Sequence, residues 1–428
     1  MILISSKSEP KGTAAIPPSK SHTIRAIFLA SLADGVSTVK GRLESADADS
    51  AISVCRALGA EIDESADSLT IRGTGGKIKP RGKAVDVGNS GTTARFVLSM
   101  ASLSDAPVTI DGDEQTRKRP MGPLLKSLSE LGATVISGNE GRLPVTIKGP
   151  IKGGITTVDG TTSQYLSSLL LHAPFCETET TLLLTSLNEK PYVDMTCGWL
   201  KKLNVKFSRN GYGEFVIPPA QNLKAFSATV PADFSSAAFF LALAAIPGSE
   251  VEITGLDMND TQGDKKMIDM LKGMGAQIEC PEGQGQIKPI KIKGATLKGA
   301  TIDLNDTPDA LPAMAVVGCL ADGQTRLTNV PQARIKETDR IAVMANELKK
   351  MGADIEEESD GLVIRKSNLN GAKLNGHDDH RVVMSLAVAG LAASGTTEID
   401  TAQAINVTFP NFVELMRSCG ANMDLRRA

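Results

Sequence analysis

The chain has 428 residues, of which 41% are hydrophobic, 22% charged and only 4% aromatic, and its net charge is -3. That balance suits a soluble globular protein of about two domains, and without a basic excess or stacking rings it offers no general nucleic-acid surface, so any anion site must be local. Six scattered cysteines (Cys55, Cys176, Cys197, Cys280, Cys319, Cys419) form no CxxC pair, and no apolar run reaches the roughly 18 residues of a membrane span. A cytoplasmic protein with reduced thiols, no zinc site and no disulfide framework is expected.

In chain order, the opening MILISSKSEPKG carries too short an apolar run for a signal peptide and reads as a strand, Ile2 to Ser5. A second strand, Thr13 to Ile16, stops at Pro17-Pro18, and Ser19 is a good N-cap for the apolar helix that follows. Lys20, Ser21 and Arg25 therefore gather about a helix N-terminus, where free N-H groups and the helix dipole favour phosphate or carboxylate. The bland alternative is a capped surface helix with two solvated bases.

From here the pattern recurs. Six helices end in Gly or Asn at positions 59, 132, 204, 275, 352 and 420, spaced 73, 72, 71, 77 and 68 apart. This is an internal repeat of about seventy residues with a left-handed residue at each helix end. Each copy also has an earlier, more apolar helix: Ser21 to Ala33, Gly91 to Leu103, Thr162 to Ala173, Phe234 to Ala245, Thr307 to Leu320 and Asp379 to Ala392. With the flanking β-rich runs the unit reads βαβαββ, so the class is α/β. The last copy is incomplete and the first has a surplus strand. Three repeats against three follow: a discontinuous domain of 1–17 plus 230–428 and an inserted domain of 18–229, joined by two crossings that form a hinge.

The unusual polar residues fall at equivalent helix openings: PSKS (Pro18 to Ser21), GNSGT (Gly88 to Thr92), TTSQ (Thr161 to Gln164), TPD (Thr307 to Asp309) and DDHR (Asp378 to Arg381). Loops ahead of the second helices add RKRPMG (Arg117 to Gly122), KPY (Lys190 to Tyr192) and KETDR (Lys336 to Arg340). A cleft lined by such ends suits a small ligand with several negative charges. The few acids among these cations, Asp309 and Glu337, are placed for general acid and base work, or alternatively cap their helices. His377 and His380 lack a third metal ligand.

The ordered set PSKSHTIRA, GNSGTTARF, RPMG, SQYL, KPYVD, TPDALPA, RIKETDR, DDHRVVM and TFPNF resembles the 3-phosphoshikimate 1-carboxyvinyltransferase (5-enolpyruvylshikimate-3-phosphate synthase) family of enolpyruvyl transferases over nearly the whole chain. The resemblance implies two inside-out α/β domains and a shikimate-pathway transferase that moves the enolpyruvyl group of phosphoenolpyruvate to the 5-hydroxyl of shikimate 3-phosphate, with no cofactor or metal. It assigns Asp309, Glu337 and Lys20 to catalysis. Shikimate 3-phosphate falls to Lys20, Ser21, Arg25, Thr162, Ser163, Gln164, Tyr192, Asp309, Gln332 and Lys336. Phosphoenolpyruvate falls to Lys20, Asn89, Gly91, Thr92, Arg119, Gln164, Arg340, His380 and Arg381. A monomer with no nucleic-acid or membrane partner is expected.

Three positions depart from the family pattern: Val407 where a Lys often precedes TFP, Glu189 where many members have Ser before KPY, and Gln332 where some have Asn. Two rival readings are the sister transferase that uses UDP-N-acetylglucosamine and a binding protein that kept the fold but lost catalysis. The first would carry a reactive Cys in the region Asp111 to Gly122, which has none. The second is opposed by the intact Lys20, Asp309, Lys336, Glu337 and Arg340.

Overall fold

A computed structural model of the chain describes residues 1–280 and 288–427. The six helix-ending residues all take positive φ, from 58° at Asn204 to 113° at Gly59, because the chain must leave each helix through the left-handed region to enter the next strand. Ahead of them, the apolar helices form at Lys20–Leu32, Gly91–Ala101, Ser163–His172, Phe234–Leu241, Leu311–Leu320 and His380–Ala392. The third and fourth close with 3-10 turns at Ala173–Phe175 and Ala242–Ala245, and the fifth is preceded by one at Pro308–Ala310. These helices are apolar on every side and are buried on nearly every side.

The chain divides into two compact units, residues 1–19 with 231–428 and residues 20–230, so the crossings fall at 19/20 and 230/231. In the inserted unit the helix Gly91–Ala101 is tied to Ser163–His172 by Ser99 and Ser168 (Oγ···Oγ 2.5 Å), and Phe28 packs edge-on to Phe96 at 5.5 Å. His172 is wholly buried there, and burial pushes its imidazole down to about 4. In the discontinuous unit Phe412 packs edge-on to Phe239 and Phe409 at 5.7 and 5.6 Å.

Each repeat is built on one four-stranded sheet, six sheets in all among the described residues, with the first pair parallel and the other two pairs antiparallel. Strand Ile2–Ser6 enters the last sheet between Thr396–Ile399 and Asn422–Arg426, with Leu3 opposite Ile399 and Ile4 opposite Asp424. It supplies the strand that the sixth repeat lacks. Lys11–Ala15 lies parallel to Glu250–Thr254 in the fourth repeat's sheet, and in exchange Ser227–Thr229 lies parallel to Val36–Lys40 in the first repeat's sheet. That second half of the exchange is not legible in the residue pattern, because both strands simply precede equivalent helices.

One local difference concerns RKRPMG. Arg117 and Lys118 do not stand in an open loop but end a short helix, Glu114–Lys118, capped by Asp113. Their charges are spent on Asp111 (2.6 Å) and Glu114 (2.7 Å), which leaves Arg119 as the inward-facing cation of the segment, 6% exposed.

Candidate active site

In the inserted unit, Arg25 lies one turn into the helix Lys20–Leu32 and is 2% exposed. Its guanidinium donates to Thr196 Oγ1 (2.9 Å), Ser21 O (3.0 Å), Tyr192 O (3.1 Å) and Ser167 Oγ (3.5 Å), and it lies 5.5 Å from the Phe96 ring centroid. Every one of these acceptors is neutral. Burial lowers its pKa to about 10, a shift opposed by Tyr192 and Cys197, so the cation persists at neutral pH with no carboxylate among the described residues bonded to it. A buried charge in that position favours an anionic ligand. Lys20 differs, since its Nζ is 3.2 Å from the buried carboxylate of Asp47.

The opening of Gly91–Ala101 brings three cationic or amide groups close together. Asn89 Nδ2 donates to Asp113 Oδ2 (2.7 Å) and Gln115 Oε1 (2.6 Å). Arg95 Nη1 donates to Gly91 O (3.0 Å), and its guanidinium lies 5.8 Å from the Tyr165 ring centroid. Burial lowers Arg95, with Tyr165 opposing and Arg119 adding to the effect. Gly91 is what allows this crowding, because a Cβ there would lie 2.0 Å from Arg119 Nη1 and 2.7 Å from Arg95 Nη1.

Thr162 caps the helix Ser163–His172, its hydroxyl accepting from Gln164 N at 3.4 Å. Gln164 Nε2 reaches across to Thr92 Oγ1 (3.2 Å), which ties this opening to that of Gly91–Ala101. Glu189, 1% exposed, turns its carboxylate into the same helix start: Oε2 accepts from Thr162 Oγ1 (3.1 Å), Ser163 Oγ (2.8 Å) and Ser163 N (3.0 Å).

In the discontinuous unit the cluster is centred on Arg340, 1% exposed at the first residue of the helix Arg340–Lys350. It is bonded to Asp309 Oδ1 (2.8 Å), Glu337 Oε2 (2.5 Å) and Asp379 Oδ2 (2.8 Å) through three different nitrogens. Burial alone would lower the Arg340 guanidinium, but the Asp379, Glu337 and Asp309 carboxylates together hold it above its ordinary value. Burial would likewise raise Asp379, and Arg340 outweighs it, so that carboxyl titrates low. Arg381 Nη2 meets the other oxygen of Asp309 at 3.2 Å.

Asp309 and Glu337 are not the caps here. Asp339 caps Arg340–Lys350 by accepting from Ala342 N (3.1 Å), and neither the turn Pro308–Ala310 nor the helix Leu311–Leu320 has a side-chain cap bond. Gln332, 1% exposed, donates to Asn305 O (2.9 Å), and Lys336 follows the 3-10 turn Pro331–Ile335, half-buried. His380 is 1% exposed, with Nδ1 4.0 Å from Asp379 Oδ1, while His377 Nε2 lies 3.0 Å from Glu347 Oε1. No group of three His, Cys, Asp or Glu suited to a metal occurs among the described residues.

Sequence reasoning missed several participants. Asp379 appears in DDHR only as an opening residue, although it both caps His380–Ala392 through Arg381 N (2.9 Å) and neutralises Arg340. Arg95 could have been found from its place four residues after Gly91, one turn along the same helix face. Asp264, whose carboxylate accepts from Ser235 Oγ at 2.8 Å, is pushed up to about 6 by burial and by Asp309, against the pull of Arg381. Thr196 and Ser167 carry no sequence signal, because hydroxyl side chains inside the helices Lys190–Lys202 and Ser163–His172 stand in no motif that marks them as partners of Arg25.

Comparison with known proteins gives one consistent result. The sequence profile of the family described as EPSP synthase (3-phosphoshikimate 1-carboxyvinyltransferase) matches residues 4–416. A 3-phosphoshikimate 1-carboxyvinyltransferase of Acetivibrio thermocellus is 53% identical over 424 residues, 99% of each chain. That of Ruminiclostridium cellulolyticum is 52% identical over 427 residues, 99% of this chain and 100% of its own. A solved EPSP synthase from Acinetobacter baumannii superposes with a TM-score of 0.84 at 31% identity, over 100% of both chains.

Proposed function

The chain belongs to the EPSP synthase (3-phosphoshikimate 1-carboxyvinyltransferase) family, and from that premise we propose how its own residues carry the reaction. It is a shikimate-pathway transferase: the enolpyruvyl group of phosphoenolpyruvate passes to the 5-hydroxyl of shikimate 3-phosphate, and phosphate is released.

In our reading Glu337 protonates the methylene carbon of phosphoenolpyruvate, which makes the neighbouring carbon cationic. The 5-hydroxyl oxygen bonds to that carbon as Asp309 takes its proton. The resulting tetrahedral intermediate then loses phosphate and returns one methyl proton to the Glu337 carboxylate, which restores the double bond. Each proton transfer contributes roughly 10² to 10⁴ in rate, whereas holding two mutually repelling anions in register supplies an effective molarity on the order of 10⁵ M or more. Orientation is therefore the larger task, and cations outnumber acids.

The observation that carries this assignment is Arg340, which holds Asp309 and Glu337 on two of its own nitrogens at 2.8 and 2.5 Å. A rigid, buried cation fixes both carboxylates without a long flexible side chain having to be ordered at each turnover. Arg340, Arg381, His380, Arg119, Asn89, Gly91, Thr92 and Gln164 would receive phosphoenolpyruvate, and Lys20 would touch both substrates. Ser21, Arg25, Thr162, Ser163, Tyr192, Gln332 and Lys336 would receive shikimate 3-phosphate, with the uncompensated Arg25 facing its charge.

A cytoplasmic location and a monomeric state belong to the same proposal. The described residues contain no helix long and apolar enough to cross a membrane, and all six cysteines are free. Phosphate release measured with shikimate 3-phosphate and then with UDP-N-acetylglucosamine as acceptor tests the function directly. Activity with the second acceptor alone would overturn it.

A further inference from the structure

We propose that Glu189 is a built-in competitor for the phosphate of shikimate 3-phosphate, so that the phosphorylated substrate binds only by moving an internal anion away from the start of the helix Ser163–His172. The inference rests on the assignment of Thr162 and Ser163 to that substrate.

The geometry is that of an occupied anion site. One carboxylate oxygen, Glu189 Oε2, receives the Thr162 hydroxyl (3.1 Å), the Ser163 hydroxyl (2.8 Å) and the Ser163 amide (3.0 Å). Two hydroxyls and a free amide at the positive end of a ten-residue helix are the donors a tetrahedral oxyanion would seek. Each of the three has a single hydrogen to give, and all three are given to Glu189. A phosphate cannot accept from them while the carboxylate remains.

Glu189 owes this position to the neighbouring helix rather than to its own. It stands at the N-cap position of Lys190–Lys202, yet makes no side-chain cap bond there. Its backbone is left-handed, with φ 57° and ψ 40°, a conformation that a non-glycine residue adopts only where its surroundings hold it there. The turn therefore aims the side chain across to Thr162 and Ser163 and buries it to 1% exposure. Arg95 also feels its charge, so the carboxylate is one member of a cationic neighbourhood that the substrate would otherwise share. A dianion entering that neighbourhood meets a like charge already bonded to its donors, and such a pair repels strongly where water is excluded.

The consequence is selective. Glu189 lowers affinity for shikimate 3-phosphate and leaves affinity for unphosphorylated shikimate unchanged, because only the phosphate contends for these donors. The test is calorimetric titration of both ligands into the wild type, Glu189→Gln and Glu189→Ser, with thermal unfolding of each preparation as a check on folding. Gln keeps the shape and removes the charge; Ser removes the carboxylate altogether, so one variant remains informative if the other is unstable. The dissociation constant for shikimate 3-phosphate is expected to fall about tenfold or more in both, with that for shikimate unchanged. An unchanged or raised constant for shikimate 3-phosphate in both variants overturns the inference.

Ser163→Ala separates the inference from its premise. If that variant binds shikimate 3-phosphate as the wild type does, the helix start is not the phosphate site, and premise and inference fall together. If it weakens binding about tenfold while the Glu189 variants change nothing, the site assignment stands and Glu189 is only a structural anchor.

Discussion

Replacing Gly91 with Ala adds one methyl group at the most crowded point of the cationic cluster. The new Cβ would lie 2.0 Å from Arg119 Nη1 and 2.7 Å from Arg95 Nη1, against an ordinary contact distance of 3.4 Å. Arg95 has little freedom to yield, because its two terminal nitrogens are bonded to Gly91 O (3.0 Å) and Pro120 O (3.4 Å). Arg119 takes most of the displacement, roughly 1.4 Å, enough to stretch a bond of about 2.9 Å beyond useful range. A hydrogen bond to a charged group contributes about 1.5–3 kcal/mol, so phosphoenolpyruvate should bind roughly 10- to 150-fold more weakly. Folding should survive, since φ at Gly91 is not among the positive values and Ala is the better helix former by up to about 1 kcal/mol. Steady-state phosphate release reports KM for phosphoenolpyruvate, and calorimetry reports Kd for shikimate 3-phosphate. A KM within twofold of wild type, or an equal loss for both ligands, would refute the reasoning.

Asp309→Asn and Glu337→Gln should each lower kcat by roughly 10² to 10⁴ with little change in affinity for shikimate 3-phosphate; a fully active Glu337→Gln enzyme removes the proton-donor role. Arg25→Ala should raise the Kd for shikimate 3-phosphate more than it lowers kcat at saturation, because a contact kept in ground and transition states is uniform binding; the reverse split would assign Arg25 to the chemical step. Burial and Asp309 raise the Asp264 carboxyl to about 6 in the fold, above the ordinary aspartate value of about 4, so the native state holds more protons in that window and loses stability as pH rises through it. Asp264→Asn should then be the more stable protein above about pH 6, by on the order of 3 kcal/mol, with the difference gone below about pH 4. Thermal or urea unfolding at both ends of the range reads this directly, and a constant difference would show that Asp264 does not titrate as described.

The periodic features of the chain were legible without coordinates, because they depend on local physics. A residue that must turn left-handed at a helix end is drawn from Gly and Asn, so Gly59, Gly132, Asn204, Gly275, Gly352 and Gly420 mark six repeats before any contact is known. The apolar helices between them reveal themselves by having no polar face, and the surplus strand at Ile2 to Ser5 follows from counting.

What lay beyond the sequence is non-local pairing. Lys11–Ala15 and Ser227–Thr229 look interchangeable as short strands, and only the assembled sheets distinguish their partners, Glu250–Thr254 and Val36–Lys40. The same holds for charge. Asp309 and Asp379 reach Arg340 from 31 and 39 residues away along the chain, and no spacing rule connects them. Whether a cation is neutralised, as Lys20 is by Asp47, or left among neutral acceptors, as Arg25 is, depends on which side chains burial brings against it. Glu189 makes the point most plainly: one acidic residue before KPY becomes the anion held at the start of a helix 26 residues earlier, because packing sets one helix beside the opening of another.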